Sequence, residues 1–292
     1  MLLPATLDAL VDRALAEDLG AGDVTSEATV LPDTRARALA LAKSELVTCG
    51  GAVFARVFAR VDPTTEVELL VEDGSVVPAG TVLWRVRGRA RSLLAAERVA
   101  LNFAQRMSGI ATLAHRYVAA LPPGARTRIA DTRKTTPGLR LLERHAVRTG
   151  GAHNHRDNLG SAVLIKDNHL VAAGGVAAAV ARARAYAPHT SRIEVEVKTF
   201  DELEQARAAR ADVIMLDNMS DEEVREAVLR VAPDRADGHG PLLEASGGIS
   251  LERIARLART GVDVISVGAL THSAPAADIS LELELEPDGA RA

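Results

Sequence analysis

Residues that can bind an anion or a metal ion follow nearly every short apolar run in the second half of the chain. They are Arg133 and Lys134, Lys166, Asp217, Ser246 with Gly247 and Gly248, and Gly268. In a βα barrel the active site lies at the C-terminal ends of the strands, because the loops there converge on one mouth. Charged residues also mark strand ends without any function, but a series of strand ends suited to one anionic ligand favours a shared binding site.

Two acidic residues of this half of the chain are candidate ligands for a divalent cation. Glu194, Glu196 and Lys198 alternate with apolar residues, which places them on one face of a strand, the interior face in a barrel. A carboxylate there is costly unless it is paired or bound to metal. Glu196 and Asp217, on consecutive strands, are therefore predicted to organise Mg²⁺ around a diphosphate, directly or through water. An ion pair of Glu196 with Lys198 or another cation explains the same pattern equally well.

Basic residues dominate the segment that begins this half of the chain. Between residues 126 and 156 they are Arg126, Arg128, Arg133, Lys134, Arg140, Arg144, Arg148 and Arg156, against only Asp131 and Glu143. This excess of positive charge predicts an anionic ligand. Arg144 and Arg148 are one helical turn apart and are expected on a solvated helix face. Arg133, Lys134 and Arg156 lie in turn-like sequence and are the predicted anion ligands, since Arg suits planar carboxylates and Lys suits phosphate.

The histidines of the run Ala152-His153-Asn154-His155-Arg156 do not predict a zinc site. Two histidines two residues apart, with no third ligand nearby, lack a recognisable zinc spacing. Hydrogen bonding to a ligand carboxylate, or capping of the loop, is the better interpretation.

A pair of glycines after one apolar run has the character of a phosphate site. Gly247 and Gly248 precede Ser250, which is placed to cap a helix beginning near Leu251. Backbone N–H groups and the helix dipole at such a turn can bind phosphate. A Gly-Gly pair alone is weak, but Gly268 follows the next apolar run, and late strands of barrels often share a phosphate site. The sequence contains no P-loop, no strand-linked G-x-G-x-x-G and no H-E-x-x-H motif.

The first hundred or so residues predict a small α+β domain. Alternating segments at 65–71 and 81–86 are separated by Gly/Pro turns, which is typical of short strands. Apolar residues at helical spacing over 7–15 predict an opening helix. A longer helical pattern covers about 97–120 and ends at two prolines and a glycine.

The remainder of the chain alternates short apolar runs with helical patterns. The runs are 128–131, 162–165, 193–197, 213–216, 242–245 and 264–267. This rhythm predicts a parallel sheet or barrel. Thr199 with Glu202, and Ser220 with Glu223, have the spacing of capping boxes and mark helix starts. The alternating tail 279–286 predicts either a strand that returns to the first domain or a frayed acidic tail.

Composition limits the class of protein. A chain of 292 residues with 47% hydrophobic residues can bury a sizeable core. A net charge of -4 and an aromatic share of 2% argue against a nucleic-acid binder. No apolar run approaches membrane-spanning length, and a single cysteine, Cys49, suits a reducing compartment. These features predict a soluble cytoplasmic protein with no membrane partner.

A set of short motifs runs nearly the whole length of the chain. They are Glu17-Asp18-Leu19-Gly20, Gly22-Asp23-Val24-Thr25-Ser26, Glu97-Arg98, Ser108-Gly109-Ile110-Ala111-Thr112, Asp131-Thr132-Arg133-Lys134-Thr135-Thr136-Pro137-Gly138-Leu139-Arg140, Gly151-Ala152-His153-Asn154-His155-Arg156, Leu164-Ile165-Lys166-Asp167-Asn168-His169, Leu216-Asp217-Asn218 and Ser246-Gly247-Gly248-Ile249. Together they resemble the quinolinate phosphoribosyltransferase family, also called carboxylating nicotinate-nucleotide pyrophosphorylase. No single motif would identify the family, but the set is highly specific.

The resemblance implies a fold, an activity and an assembly. The fold is α/β, with an N-terminal α/β sandwich domain and a C-terminal incomplete, open α/β barrel. We place these domains at 1–110 and 111–275, followed by a C-terminal segment, 276–292, that returns to the N-terminal domain. The implied activity joins quinolinate to phosphoribosyl diphosphate with loss of carbon dioxide, with Mg²⁺ as cofactor. The implied assembly is a homodimer whose active sites borrow residues from the neighbouring subunit.

The resemblance also implies roles for individual residues. Quinolinate would be bound by Arg133, His155, Arg156 and Lys166, helped by Arg98 of the partner subunit. Phosphoribosyl diphosphate and magnesium would be served by Lys134, Glu196 and Asp217, and these three with Lys166 form the expected catalytic set. Thr132 joins the substrate-binding residues, and the 5-phosphate would be held by Ser246, Gly247, Gly248, Gly268 and Ala269.

Two other functions remain open at this point. A relative that uses another pyridine or related acid would have the same phosphate half of the site, and trial substrates separate the two. A non-catalytic barrel that binds phosphorylated metabolites is expected to lack Glu196, Asp217 or Lys166, and all three are present. Fold alone would not choose between these functions, because barrels host many activities.

Overall fold

The computed structural model describes residues 4–236, 238 and 240–286. Within this part of the chain there are two compact units. The first comprises residues 4–115, 135–151 and 273–286, and the second comprises the described residues of 116–134 and 152–272. The expected C-terminal segment beyond residue 286 lies outside the described residues. No helix in the described part of the chain is both long and apolar enough to cross a membrane.

The first unit is built on an antiparallel sheet. Its elements are α1 (Pro4–Leu19), α2 (Val24–Thr29), β1 (Arg35–Ala42), β2 (Leu46–Val47), α3 (Gly51–Val61), β3 (Glu66–Leu69), β4 (Val76–Val77), β5 (Val82–Arg89), most of α4 (Ala90–Ala119), α5 (Arg140–Thr149) and β12 (Ile279–Leu285). The sheet order is β12-β1-β5-β3, and β2 pairs with β4. Every second residue of β1 is buried, because successive side chains of a strand point to opposite faces. Trp84 of β5 packs on Phe54 of α3 with 4.6 Å between ring centroids.

The alternating tail of the chain forms strand β12. It pairs antiparallel with β1, so that Ile279 lies opposite Ala42 and Leu285 opposite Ala36. Ile279 is buried, whereas Glu284 is exposed and forms a 2.7 Å ion pair with Arg37 across the two strands.

Helix α4 begins at Ala90, earlier than the expected start near Glu97. Strand β5 ends at the preceding residue, so no turn separates the two elements. Leu93 and Ala96 are buried and continue the apolar side of the helix towards its start. The basic sequence around Arg91 hides this part of the apolar pattern, which explains the error.

The second unit is an open parallel sheet with helical crossovers. Its elements are β6 (Arg128–Ala130), β7 (Val163–Ile165), α6 (Asp167–Ala173), α7 (Val176–Tyr186), β8 (Ile193–Val197), α8 (Phe200–Ala208), β9 (Val213–Asp217), α9 (Asp221–Ala236), β10 (Leu242–Ser246), a 3₁₀ turn (Leu251–Arg253), α10 (Ile254–Ala258), β11 (Val264–Ser266) and α11 (Ala269–His272). The strand order is β6-β11-β10-β9-β8-β7, and every pairing is parallel. Each strand predicted for this unit is present, and its ends differ from the predicted ends by at most one residue. The predicted fold class, a small sandwich-type domain plus an incomplete barrel, is confirmed.

Local sequence explains where two of the crossover helices begin. At α9 the Ser220 N–H donates to the Glu223 carboxylate at 2.8 Å, and the Glu223 N–H donates to the Ser220 hydroxyl at 3.2 Å. This reciprocal pair is the predicted capping box. At α8 the Glu202 N–H donates to the Thr199 hydroxyl as predicted, but the Glu202 carboxylate accepts from the N–H of Lys198, one residue earlier.

Helix α5 corrects the expectation that Arg144 and Arg148 lie on a solvated face. Arg148 is exposed, but Arg144 is only 7% exposed. The spacing correctly places both on one side of the helix, yet it does not say how much of the circumference is covered. Gly150, directly after α5, lies so close to α4 that an added Cβ would sit 2.8 Å from the Ala114 Cβ. Five of the ten residues of α5 are buried, Arg144 among them.

A buried ion pair joins α5 to α4 within this unit. The Glu143 side chain is 1% exposed and lies 2.7 Å from the Arg106 guanidinium. Replacement of Glu143 with alanine is expected to lower the free energy of unfolding by about 3 kcal/mol, because it leaves the Arg106 charge without its buried carboxylate. Urea unfolding followed by circular dichroism measures the change.

The matched control is Glu284→Ala, since the Glu284–Arg37 pair is 59% exposed on both sides. Solvent weakens such a pair, and the expected loss is below about 1 kcal/mol. Equal losses for the two variants would show that burial of the Glu143 pair has no special effect on stability.

Candidate active site

One edge of the parallel sheet carries most of the residues singled out in the sequence. Lys166 directly follows β7, Glu196 lies in β8, Asp217 and Ser246 end β9 and β10, and Gly268 follows β11 shortly afterwards. Because the strands are parallel, their C-terminal ends share this edge. Ser246 is in register with Asp217, and its hydroxyl lies 3.0 Å from that of Ser266 on β11. The predicted residues are therefore brought together by strand register.

Lys166 and Glu196 form the ion pair at this edge. The Lys166 ammonium donates to Glu196 at 2.6 Å, and Lys166 is 46% exposed while Glu196 is almost buried at 9%. Lys198, considered above as a partner for Glu196, instead pairs with Asp167 at 2.8 Å. The charge that balances Glu196 thus comes from Lys166, which remains open to solvent and can meet a ligand.

Asn218 supports Asp217 and the glycine turn together. Its backbone φ is 57°, a left-handed conformation that Asn tolerates better than most residues. Its side-chain amide donates to Asp217 at 3.0 Å, and its backbone N–H donates to the Ser246 carbonyl at 2.9 Å. A Cβ added at Gly247 would overlap the Asn218 side chain, 2.6 Å from its Cγ. The sequence motif contained Asn218, but no role was assigned to it.

The glycine turn after β10 has the backbone that its sequence predicted. Gly247 and Gly248 adopt successive positive φ values of 88° and 58°, a turn in which backbone N–H groups can converge on an anion. Ser250 occupies the N-cap position, but its side chain makes no capping hydrogen bond, and a 3₁₀ turn precedes the short α10. The prediction that Ser250 caps a regular helix was therefore wrong, and the turn itself remains as the candidate phosphate site.

Lys134 lies beside the end of β11. A Cβ added at Gly268 would be 3.2 Å from the Lys134 Cδ and 3.0 Å from the His272 Nε2. The Thr271 hydroxyl donates to the Lys134 carbonyl at 2.8 Å, and the Lys134 N–H donates to the Thr132 hydroxyl at 3.1 Å. These contacts place the exposed Lys134 side chain next to Gly268, after the end of β11.

Asp131 fixes the basic loops at the end of β6. It is fully buried, and its carboxylate accepts the His155 N–H at 2.7 Å and the Asn154 side-chain amide at 2.6 Å. The His153 carbonyl accepts the Asp131 N–H at 2.9 Å. The segment that contains His155 is therefore tied to the strand that leads into Thr132 and the following basic pair. Sequence reasoning counted Asp131 only as a charge.

Arg133 and Arg156 are brought close enough for their charges to interact. Burial lowers the pKa of Arg156, the positive charge of Arg133 lowers it further, and the negative charge of Glu194 opposes both effects. Two partly buried guanidinium groups that repel each other favour the binding of an anion between or beside them. Planar carboxylates match the guanidinium fork best.

The His155 ring faces two buried carboxylates that the sequence did not connect with it. Its Nε2 lies 3.2 Å from Glu194 on β8 and 3.5 Å from Glu244 on β10. Burial opposes a charge on the ring, but the two carboxylates outweigh it and raise the pKa of His155 to about 10. Burial also raises the pKa of Glu194. The role of His155 stays a prediction, because these contacts identify neither a ligand carboxylate nor a loop cap.

Arg98, the predicted contribution from a partner subunit, lies on α4 in the first unit and is exposed. Ala269 begins α11 directly after Gly268. Thr132 and Lys166 flank the basic loops as expected from their positions in the motifs. The roles assigned to these residues stay predictions, because their positions do not identify a ligand.

Glu196 and Asp217 are two carboxylates at this edge of the sheet that would suit a divalent cation. They share one face of the sheet, because Glu196 is in register with Met215, two residues before Asp217 on β9. Among the described residues they belong to no cluster of three or more metal-binding side chains. One or two carboxylates completed by phosphate oxygens and water is the arrangement that Mg²⁺ prefers.

Family models match both parts of the chain. The model described as the N-terminal domain of quinolinate phosphoribosyl transferase matches residues 23–108. The model described as the C-terminal domain of the same enzyme matches residues 110–282.

Curated relatives and solved structures agree with these matches. A probable carboxylating nicotinate-nucleotide pyrophosphorylase from Bacillus subtilis is 42% identical over 279 residues, which cover 96% of this chain and 94% of the relative. A decarboxylating quinolinate phosphoribosyltransferase from Nicotiana tabacum is 42% identical over 96% of this chain and 83% of its own length. The crystal structure of NadC from Streptococcus pyogenes is similar with a TM-score of 0.91 at 41% identity, covering 98% of this chain and 99% of that one.

Proposed function

The chain belongs to the quinolinate phosphoribosyltransferase family, and from this premise we propose that it transfers the phosphoribosyl group of 5-phosphoribosyl 1-diphosphate to quinolinate. The products are nicotinate mononucleotide, diphosphate and carbon dioxide, in NAD biosynthesis. The observation that carries the proposal is the sheet edge that places Arg133 near Arg156 and pairs Lys166 with Glu196. The site supplies charges that suit this reaction, so the proposal does not rest on the fold alone.

The basic residues hold the flat diacid in this proposal. Arg133, Arg156 and Lys166 offer donors to its two carboxylates, and guanidinium forks bind carboxylates in their plane. A ring fixed in this way presents its nitrogen to the anomeric carbon of the sugar diphosphate. The substrate nitrogen is the nucleophile, so the protein needs to orient the reactants rather than attack.

The other half of the site receives the sugar diphosphate. The Gly247-Gly248 turn and Ser246 suit the 5-phosphate, and the exposed Lys134 lies where it can stabilise charge on the departing diphosphate. Magnesium, when bound, supplies further positive charge to the leaving group. Glu196 and Asp217 would be the protein's ligands for that ion, and its other ligands would be phosphate oxygens and water.

Loss of carbon dioxide follows from the chemistry of the substrate. Once the ring nitrogen is bonded to the sugar it is positively charged. The carboxylate on the adjacent carbon can then leave as carbon dioxide, because the electrons of the broken carbon–carbon bond remain beside that positive nitrogen. That electron pair then takes up a proton from water, which gives the C–H of nicotinate mononucleotide. The protein must provide cations and exclude water, which explains why no nucleophilic triad is required.

A substrate comparison tests the proposal. Purified protein with phosphoribosyl diphosphate and magnesium is expected to form nicotinate mononucleotide from quinolinate and to leave nicotinate unchanged. The reason is that nicotinate has one carboxylate, whereas the basic residues of the site are proposed to bind two. A protein that prefers nicotinate or another single acid, or that turns over neither compound, would overturn the assignment.

Magnesium is part of the same proposal, supported by the oxygen donors of Glu196 and Asp217. Chelation of divalent cations is expected to abolish turnover, and added Mg²⁺ should restore it. Asp217→Asn is expected to raise the Mg²⁺ concentration needed for half-maximal rate by about tenfold or more, since it removes one ligand charge. Full activity after chelation would contradict the proposal.

A homodimer with shared sites is proposed as well, supported by the exposure of Arg98 on α4. Inactive Arg98→Ala and Lys166→Ala chains, mixed and reassociated, should regain about a quarter of wild-type activity, because half of the dimers are mixed and each has one intact site. The separate variants provide the controls. No recovery in a preparation shown to contain mixed dimers would place Arg98 in the site of its own chain.

A cytoplasmic location completes the proposal. Its support is the state of Cys49, which is buried and free and has a pKa raised to about 12 by burial and by the charge of Asp73. A single inert thiol suits a reducing compartment. Cell fractionation with an activity assay tests the location, and activity confined to a secreted fraction would contradict it.

A further inference from the structure

A buried trio of side chains lies beneath the basic loops of the site. His155 meets Glu194 and Glu244, which project from β8 and β10, on either side of β9. Glu244 is 3% exposed, and its Oε1 has no hydrogen-bond partner among the described residues. Two buried carboxylates in one place are costly unless a nearby positive group compensates them. Their position beside His155 calls for a functional reason.

The trio determines the orientation of the His155 ring. The Arg156 N–H donates to the ring Nδ1 at 2.8 Å, so that nitrogen uses its lone pair as an acceptor. The other ring nitrogen, Nε2, therefore directs its proton towards the two carboxylates.

The ring connects the trio to the backbone of Arg156. Segment 154–156 is held from one side by Asp131, which accepts the His155 N–H and the Asn154 amide. It is held from the other side by the ring, whose Nδ1 accepts the Arg156 N–H. Ordinary loop closure does not require both attachments, since the Asp131 bonds already tie the segment to β6.

The attachment through the His155 ring has a purpose if the Arg156 guanidinium must stay where its positive charge is disfavoured. Burial and the charge of Arg133 both disfavour the Arg156 guanidinium, and the negative charge of Glu194 favours it. The guanidinium also donates to the Ala162 carbonyl at 3.4 Å, and an arginine left mobile would be ordered only when an anion bound. A group fixed in advance avoids that ordering cost at the moment of binding.

We propose that Glu194 and Glu244 are positioning residues that hold His155, and through it Arg156, in the conformation that receives a substrate carboxylate. The inference rests on the proposed function, because it assigns the anion at this place to quinolinate. Neither glutamate needs to touch the substrate. Both act from inside the barrel, beneath the loop whose Arg156 contacts the substrate.

Kinetics of Glu244 variants test the proposal. Glu244→Ala is expected to raise KM for quinolinate by about 10- to 100-fold, the range seen when groups that orient a metal-bound histidine are removed. KM for phosphoribosyl diphosphate should be unchanged, because the Gly247-Gly248 turn is formed by other residues. Glu244→Gln preserves the shape of the side chain and an oxygen that faces His155, and it should recover most of the lost affinity. Glu222→Gln, an exposed glutamate on α9 of the same unit, is the matched control and should behave as wild type.

Glu194→Gln provides a second test that avoids truncation in the core. It keeps the shape of the side chain but removes the charge that favours Arg156, so KM for quinolinate should again rise selectively. If Glu244→Ala does not fold, the contrast between Glu194→Gln and Glu244→Gln decides the question.

The results separate this inference from the proposed function. A wild-type protein inactive with quinolinate removes the function itself. An active wild-type protein whose Glu194→Gln and Glu244→Ala variants keep their KM for quinolinate, or lose affinity for both substrates equally, overturns only the positioning role. The ligand atoms of the trio lie within 4.8 Å of one another and could also hold a metal ion. A bound metal in wild-type protein that is lost in Glu244→Ala would likewise overturn the inference.

Discussion

Replacement of Lys166 with alanine is expected to lower kcat/KM for quinolinate by about 100- to 1000-fold, the effect of removing one preorganised charged donor from an active site. The Lys166 ammonium lies 2.6 Å from Glu196, so its loss removes a cation from the diacid site and leaves a nearly buried carboxylate without that charge. The Glu196 charge would then repel the incoming diacid. Steady-state kinetics with quinolinate varied at saturating phosphoribosyl diphosphate measure the effect.

The loss should be catalytic and not structural, because the Lys166 side chain is 46% exposed. Lys43→Ala is the matched control, since Lys43 is a similarly exposed lysine that forms a 3.6 Å ion pair with Glu282 in the first unit. Both variants should keep the thermal unfolding midpoint of the wild type. A Lys166→Ala protein with wild-type kinetics would remove the residue from the site and with it the proposed clamp on the substrate.

Replacement of Gly247 with alanine is the second large effect. The added Cβ would overlap the Asn218 side chain, 2.6 Å from its Cγ, at a backbone φ of 88°. Asn218 donates to Asp217, so its displacement disturbs the candidate phosphate turn and the candidate metal ligand at once. A misplacement of this kind can lower kcat/KM for phosphoribosyl diphosphate by about 100-fold.

Gly174→Ala separates the steric effect from backbone strain. Gly174 has a φ of 82° and no atom within 4 Å of an added Cβ, so both variants carry a left-handed alanine at a cost of about 1–2 kcal/mol. Kinetics of Gly174→Ala should match the wild type despite this loss of stability. Equal kinetic effects in the two variants would mean that strain, and not the contact with Asn218, controls the site.

The sequence predicted the strands and their functional ends because both are local properties. The strands of the second unit are short, mainly apolar segments, and a chemically distinct residue follows them, as with Lys166 after β7 and Gly247 after β10. Parallel order then places those residues together. Helix boundaries were less predictable where charge masks the apolar pattern, as at Arg91 near the start of α4.

Residues that act through long-range contacts could not be assigned from local pattern. Glu244 interrupts an apolar run and was treated as part of a strand, although it lies two residues before Ser246 and therefore on the same face. The two-residue spacing between Glu244 and Ser246 was the signal in the sequence that could have identified Glu244. Its proximity to His155, far away in sequence, depends on the sheet order. The burial of Glu143 and Arg144 likewise depends on which elements cover α5.

Partner choice was similarly beyond local pattern in the first unit. The alternation of residues 279–286 indicated a strand, but it did not identify β1 as its neighbour. Any exposed strand edge could have accepted it, since the hydrophobic period fixes which face is buried and not which strand lies alongside. Only the folded chain decides the pairing.

The most direct test of the central claim follows the carboxylate that leaves. Quinolinate labelled with ¹³C in the carboxylate next to the ring nitrogen is incubated with the protein, phosphoribosyl diphosphate and magnesium, and carbon dioxide and diphosphate are measured together. The account predicts labelled carbon dioxide in equal amount to diphosphate, and none when phosphoribosyl diphosphate is omitted. Release of diphosphate with the label retained in the nucleotide, or of carbon dioxide without the sugar substrate, would contradict it.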